Sequence, residues 1–370
     1  MAHQTPLYNT HINLKAKMGP FAGYDMPLYY EDGVMAEHEW VRSHAGLFDV
    51  SHMGQVILSG DGAQDFLEKI TPSSYDKAPH GRAKYTVLTN HQGGIVDDLI
   101  VTKRGDNDFF AVINAGCKDK DIAWIKENLP DSVDLTILDD RALIALQGPQ
   151  AETVLRETLK IDTEGMPYMW MIDSQLSDGT PIFISRLGYT GEDGFELSVP
   201  ADIAEGVWLH LSQHGAVRPI GLAARDSLRL DMGYCLYGHD IDDQTSPIEA
   251  GLGWVIGKNN SSFIGAGHIL NQKETGAEKL RIGIRLTEKG VAREGSEVLD
   301  ASNMEKIGVM TSGGFSPTLK EGVGQGYVQS AHAEPGKKVF VSVRGRNIAA
   351  ELATLPLVPA NTKSIKAAAA

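Results

Sequence analysis

Two cysteines in 370 residues, Cys117 and Cys235, are too few for a disulfide framework. Both read as small, reduced, buried side chains. There is no CxxC and no HExxH, and His38 and His44 lack an acidic partner at a ligand spacing, so no metal is expected. No apolar run approaches the roughly 18 residues that suggest a membrane span. Met1-Ala2-His3-Gln4-Thr5-Pro6 has neither a signal-peptide core nor an Arg-rich transit pattern, which makes the cytoplasm the expected compartment; a mature chain of the mitochondrial matrix would read the same way. Positive charge is also scarce. Lysines and arginines number 34 against 48 acidic residues, a net charge of −14. Non-specific binding to nucleic acid or to an anionic membrane is therefore not expected, and an anionic ligand needs a local basic cluster. Gly322-Val323-Gly324-Gln325-Gly326 lacks the GxGxxG spacing and the following helix of a nucleotide loop and reads as a turn. No flavin or nicotinamide is expected, and no internal repeat is evident.

What is present is a mixture of periods. The chain is long enough for two or three domains. A helical pattern runs from about Met35 through Trp40 and Val41. Ala63, Phe66, Leu67 and Ile70 share one helix face, as do Ile122, Trp124 and Ile125 between Lys118 and Leu129. Strand patterns occur at Val56–Leu58, Thr86–Leu88, Gly94–Val101 and Phe109–Ile113, the last two joined by a hairpin signal at Lys103-Arg104-Gly105-Asp106-Asn107-Asp108. Strand, turn and helix recur from Leu143 to Leu159, and strands at Ile182–Arg186 and Phe195–Val199 flank a glycine-bounded loop. A helix follows from about Ile203 to Gln213. Past a polar stretch from Asn271 to Lys279, short strand-like runs with glycine turns continue alone. This order argues α+β with an all-β C-terminal domain. Ala367–Ala370 reads as a frayed tail.

Ala223-Ala224-Arg225-Asp226-Ser227-Leu228-Arg229-Leu230-Asp231-Met232-Gly233-Tyr234 reads as a helix ending at a glycine, with Arg225 and Arg229 four apart on one face. A guanidinium fork there suits a planar anionic group; local ion pairing is the alternative. Four further segments accompany it: Phe48-Asp49-Val50-Ser51-His52-Met53-Gly54, Gly93-Gly94-Ile95-Val96-Asp97-Asp98-Leu99-Ile100-Val101, Gly188-Tyr189-Thr190-Gly191-Glu192-Asp193-Gly194-Phe195-Glu196, and Leu236-Tyr237-Gly238-His239-Asp240. In this order and spacing the chain closely resembles the T-protein, or aminomethyltransferase, family of the glycine cleavage system. The resemblance runs from Thr5-Pro6-Leu7-Tyr8 to Pro356-Leu357-Val358-Pro359.

In a strand, Asp97 shares a face with Ile95, Leu99 and Val101, and Asp98 shares the other with Val96 and Ile100. An apolar face raises a carboxyl pKa toward the range useful for proton transfer; capping of a sheet edge is the alternative. Alternation along Phe195–Val199 puts Glu196 opposite the apolar set, either exposed or turned to a ligand. The resemblance implies three domains around a central folate channel: 1–50 plus 140–275, an inserted 51–139, and a barrel or jelly-roll-like 276–370. It further implies a catalytic Asp97, a pterin-binding Glu196, a wall formed by Tyr189, and an Arg225 in the p-aminobenzoate–glutamate region. Tyr85, Met53 and Asn114 match channel positions, with Asn114 able to orient Asp97. Trp254 is either a channel or a core residue, and Tyr189 is otherwise an anchor for Gly188 and Gly191. The implied reaction moves a methylene carbon from aminomethyl-lipoyl H-protein to tetrahydrofolate, giving 5,10-methylenetetrahydrofolate, ammonia and dihydrolipoyl H-protein. Lys289 and Arg293, in Thr287-Glu288-Lys289-Gly290-Val291-Ala292-Arg293, form the candidate basic patch for an acidic carrier, an ordinary solvated turn being the alternative. Other folate-dependent one-carbon transferases or demethylases share this scaffold. So do noncatalytic maturation factors, whose Lys-Gly-Cys-aromatic-Gly-Gln-Glu motif is absent here. Some family members carry aromatic residues shortly after the final proline, where this chain has Ala360-Asn361-Thr362-Lys363.

Overall fold

The computed structural model describes residues 2–363, so the Ala367–Ala370 tail lies outside the described residues. Three sheets form the framework. The first has six strands in the order Trp170–Gln175, Pro181–Arg186, Gly194–Pro200, Arg141–Gln147, Ala45–Asp49, Val217–Pro219, antiparallel except for the last, parallel pair. Period-two patterning sorts its side chains. Leu47, Ile144, Leu146, Phe195 and Leu197 pack on one face against helices Ala151–Leu159 and Ala204–Ser212. Phe48, Leu143 and Ala145 point the other way.

The second sheet has five antiparallel strands in the order Ala83–Thr89, Ile95–Gly105, Asp108–Ile113, Gly54–Gly60, Val133–Ile137. Its outer face packs on helices Ala63–Ile70 and Lys118–Asn128, with Phe66, Leu67 and Ile70 inward as the helical spacing predicts. Its inner face meets the first sheet where Phe110 and Val112 pack among Phe48, Val50 and Leu143. The segment from Cys235 to Ile269 covers the rest of that face through Val87 and Ile95. A side chain at Gly94 is impossible here, because a Cβ would lie 1.7 Å from the Asp243 carbonyl oxygen.

The third sheet is a closed six-stranded antiparallel barrel: Lys279–Leu286, Glu321–Gln329, Lys306–Ser316, Glu297–Asp300, Lys338–Val343, Arg346–Ala353. Ile284, Val298, Met310, Val341 and Leu352 fill it. One local expectation is corrected. Gly322–Gly326 is not a turn but the middle of a barrel strand, where a Cβ on Gly324 would meet Met310 Cε at 2.2 Å and the Ser312 carbonyl oxygen at 2.4 Å. Glycine serves close strand approach there, not chain reversal. The polar stretch from Asn271 begins inside a helix, Ala266–Thr275.

Helix Leu222–Asp231 ties the barrel to the rest. Arg229 on it is buried and donates to Asp240 at 2.8 Å, Asp226 at 2.9 Å and Ser312 of the barrel at 3.0 Å. Asp240 is itself buried and also accepts from Thr311 and Ser312. Asp231 instead pairs with Arg42 at 2.9 Å and His38 at 3.4 Å. Replacing Arg229 by leucine strands the Asp240 carboxylate without its cation. We expect about 3–5 kcal/mol lower stability by denaturant titration; a loss under about 1 kcal/mol would remove this pair from the framework.

Candidate active site

The inner faces of the sheets, helix Leu222–Asp231 and the barrel enclose a cavity of about 1720 Å³. Every expected binding residue lines it: Met53, Tyr85, Asn114, Tyr189, Glu196, Arg225 and Trp254. Of the aspartate pair, Asp98 lines it and Asp97 does not.

The strand has one register shift, which lies just before the pair. Leu88 pairs with Asp97 and Thr89 with Ile95, so Val96 is an extra residue, a bulge. The bulge changes the parity of the strand at its start. Val96 joins Leu99 and Val101 in the core under the helices, and Ile95 turns to the opposite cluster, the reverse of simple alternation. Beyond the bulge the order is regular. Asp97 lies with Leu88 on the helix side, fully buried, and Asp98 lies with Val87 on the cavity side, 9% exposed. The aspartate facing the cavity is therefore Asp98. Sequence alternation had separated the two faces; only the packing of Lys118–Asn128 on one of them tells which is dry.

Asp98 is held firmly. Tyr85 Oη donates to its Oδ2 at 2.9 Å, and Asn114 Nδ2 donates to its Oδ1 at 2.9 Å. Asn114 also donates to Asp97, from Nδ2 at 3.0 Å and from its backbone at 3.2 Å. Asn114 thus orients both carboxylates. Burial, and secondarily the neighbouring Asp97 charge, pushes the Asp98 carboxyl up to about 7 despite those two donors. Each oxygen keeps a lone pair beyond its bond.

Glu196 enters from the other sheet, paired with Ala145 and opposite the apolar set, on a face that is buried against the cavity and not solvated. Among the described residues its carboxylate has no hydrogen-bond donor. Burial raises its pKa and the Arg225 charge opposes this. Arg225 is the complementary case. Its Nη1 is buried without a partner, and its guanidinium lies 4.8 Å from the Tyr189 ring centre. Desolvation lowers its pKa, and Glu196 acts against that. The two arginines of the helix therefore differ: Arg229 is spent on carboxylates and Ser312, and Arg225 is left with an open N–H.

Tyr189 donates to the Cys235 carbonyl and stacks on Tyr234 at 5.6 Å. These contacts hold its ring at the edge of the cavity. Trp254 is 67% exposed and stacks on Tyr85 at 5.7 Å, so it is no core residue. Lys289 and Arg293 are both exposed; Arg293 lies on the cavity rim and donates to the Gly313 carbonyl at 3.1 Å. After the final proline, Asn361 donates to Glu192 at 3.1 Å and Lys363 to Glu152 at 2.9 Å, and residues 360–363 do not line the cavity. His52 was missed by sequence reasoning. It is buried at the cavity wall with Nδ1 unpartnered, and burial lowers its pKa to about 4, leaving a neutral imidazole. Its place inside the Phe48–Gly54 motif was the available signal. No group of acidic residues, histidines or cysteines suited to a metal occurs among the described residues, and no helix is long and apolar enough to cross a membrane.

The GCVT N-terminal domain model matches residues 7–260, and the glycine cleavage T-protein C-terminal barrel domain model matches 279–359. An aminomethyltransferase of Flavobacterium psychrophilum is 42% identical over 356 residues, covering 95% of this chain and 98% of the relative. The mitochondrial aminomethyltransferase of Saccharomyces cerevisiae is 40% identical over 96% of this chain and 94% of its own. The solved glycine cleavage system aminomethyltransferase T of Bartonella henselae superposes with a TM-score of 0.93 at 38% identity, covering 98% of this chain and 100% of that one. A chain matched by both domain models, and by such relatives from end to end, belongs to the glycine cleavage T-protein family of aminomethyltransferases.

Proposed function

We propose that this chain transfers the methylene carbon of an aminomethyl group, held on the lipoyl arm of H-protein, to tetrahydrofolate, releasing ammonia and the reduced lipoyl arm. One observation carries the reading. A raised carboxyl, Asp98, and a donor-free carboxylate beside an open guanidinium, Glu196 with Arg225, line one aromatic-walled cavity. Tetrahydrofolate, when bound, supplies the amine that takes up the carbon. The residues suit it. Glu196 accepts two parallel N–H groups from the amidine-like edge of a pterin. Tyr189 walls the ring, and Arg225 balances the Glu196 charge while offering its free N–H. This reading seats the Arg225 contact beside Glu196 and not at the distant glutamate tail. Asp98, fixed by Tyr85 and Asn114, accepts and returns the proton at its free lone pairs. Positioning of two bulky reactants accounts for the rest, and no covalent enzyme nucleophile is required.

The three-part division into 1–50 plus 140–275, 51–139 and 276–370 is proposed on sheet membership, since the six-stranded sheet draws on Ala45–Asp49 and Arg141–Pro219 around the five-stranded one. Working partners are proposed to be H-protein and, transiently, the other glycine cleavage proteins, in the cytoplasm or the mitochondrial matrix.

The decisive assay is methylenetetrahydrofolate formation from aminomethylated H-protein, with and without its lipoyl group. Lipoyl-independent turnover of another methylated amine would favour a demethylase. Asp98→Asn is expected to lower turnover by about 10²–10⁴. For wild type, kcat/KM should rise with pH through about 7 as Asp98 ionises. A carboxyl raised in the folded state binds its proton more tightly folded than unfolded, so its contribution to stability is lost as pH rises through that value. Asp98→Asn should therefore be at least as stable as wild type above neutrality. An unaltered rate in this variant would sink the assignment.

For Glu196→Gln, titration calorimetry should show tetrahydrofolate binding weakened by about 1–3 kcal/mol, because an amide offers one acceptor oxygen to two donors. An unchanged dissociation constant returns Glu196 to a structural role. Reversing Lys289 and Arg293 to glutamate should raise KM for H-protein at low salt, with tetrahydrofolate affinity and turnover of the free lipoamide adduct unchanged. Equal KM values would exclude this loop as the docking patch.

A further inference from the structure

Asp97 does not line the cavity, yet it is a fully buried carboxylate whose N–H donors, among the described residues, come from Asn114, with the Cys117 thiol beside it. It lies on the side of the sheet that packs on helix Lys118–Asn128, next to Asp121. Asp121 sits on the first turn of that helix, 0% exposed, and both of its carboxylate oxygens are buried with no donor. No backbone N–H of the helix start reaches them. A dry ionised carboxylate with no donor, next to a second one, is a strongly unfavourable arrangement. One proton removes both problems, because a protonated Asp121 becomes the donor and Asp97 the acceptor.

We propose that Asp121 is a positioning residue for proton transfer: it holds a proton, donates it as a hydrogen bond to Asp97, and so fixes the carboxylate against which Asn114 aligns Asp98. The surroundings agree. Burial first, and the Asp97 contact second, push the Asp121 carboxyl far above the ordinary range. The cations of this helical turn are engaged elsewhere: Lys120 Nζ lies 4.0 Å from the centre of the Tyr237 ring and 3.7 Å from Asp243, and Lys118 Nζ donates to the Tyr24 hydroxyl at 2.7 Å. Cys117, on the turn before the helix, is pushed up by burial and stays a thiol. Tyr237 is likewise raised by burial and stays a phenol. Asp98 is the remaining charged group, on the far side of the strand. Asn114 Nδ2 then has a fixed acceptor in Asp97 Oδ1 and points at Asp98 Oδ1 and the Asp98 carbonyl at 2.9 Å each.

The inference rests on Asp98 as the proton-handling group, and the two can fail separately. Infrared spectroscopy at alkaline pH, where Asp98 is ionised, should show the carbonyl stretch of a protonated carboxyl group in wild type; Asp121→Asn should lose it. That variant keeps a donor for Asp97, so turnover within about twofold of wild type and an unmoved pH limb are expected. Asp121→Ala removes the donor; turnover should fall at least about tenfold. Its pH limb should move to lower pH, since an Asp97 that takes up the proton no longer repels the Asp98 charge. Should Asp121→Ala fail to fold, the infrared band still decides. Absence of that band in wild type overturns the proposal, as does a loss in Asp121→Asn equal to that in Asp121→Ala. Full turnover in Asp98→Asn would remove the parent reading and leave the band in place.

Discussion

The buried ion pair between Arg229 and Asp240 is the constraint on which the rest depends. It joins the helix Leu222–Asp231 to the loop after it and, through Ser312 and Thr311, to the barrel. Two charges at this depth hold together only while each has the other, so the helix, the loop and the barrel must come together as a set. That helix carries Arg225 one turn before Arg229. Satisfying Arg229 with carboxylates is what allows Arg225 to face the cavity with an N–H still free.

The cavity is a place where charge is kept in short supply of partners. Glu196 and Arg225 sit close enough to moderate each other without a hydrogen bond between them, and both are desolvated. Asp98 has two donors and remains raised. A cavity that completed every hydrogen bond internally would have little to offer a polar ligand; open groups cost stability that bound substrate restores. The aromatic pairs, Tyr189 with Tyr234 and Tyr85 with Trp254, give the walls rigid, flat surfaces.

Behind the wall the five-stranded sheet does a second job. Its strand Ile95–Gly105 presents one aspartate to each side, and Asn114, at the end of the neighbouring strand, reaches both. The Val96 bulge lies immediately before that pair and turns Ile95 and Val96 over, while Asp97 and Asp98 keep the faces that regular pairing with Leu88 and Val87 gives them. Regular pairing past the bulge thus converts a two-residue motif into an inside and an outside group.

Much was legible from residue order alone. Helical spacing identified Ala63–Ile70 and the helix around Arg225 and Arg229, alternation put Glu196 opposite Phe195 and Leu197, and short strand-like runs announced an all-β C-terminal domain. These are local periods, and a period needs only neighbours in the chain. The sequence also put an aspartate on each face of one strand. It could not say that the helix Lys118–Asn128 would cover Asp97, that Asp240 would claim Arg229, or that the glycines from Gly322 to Gly326 would pass through the barrel at strand-contact distance. Those outcomes depend on groups distant in sequence competing for the same buried space and the same hydrogen bonds. Alternation states that two faces differ; which face is dry, and which charge is left open to a ligand, is decided only when the tertiary structure closes over one of them.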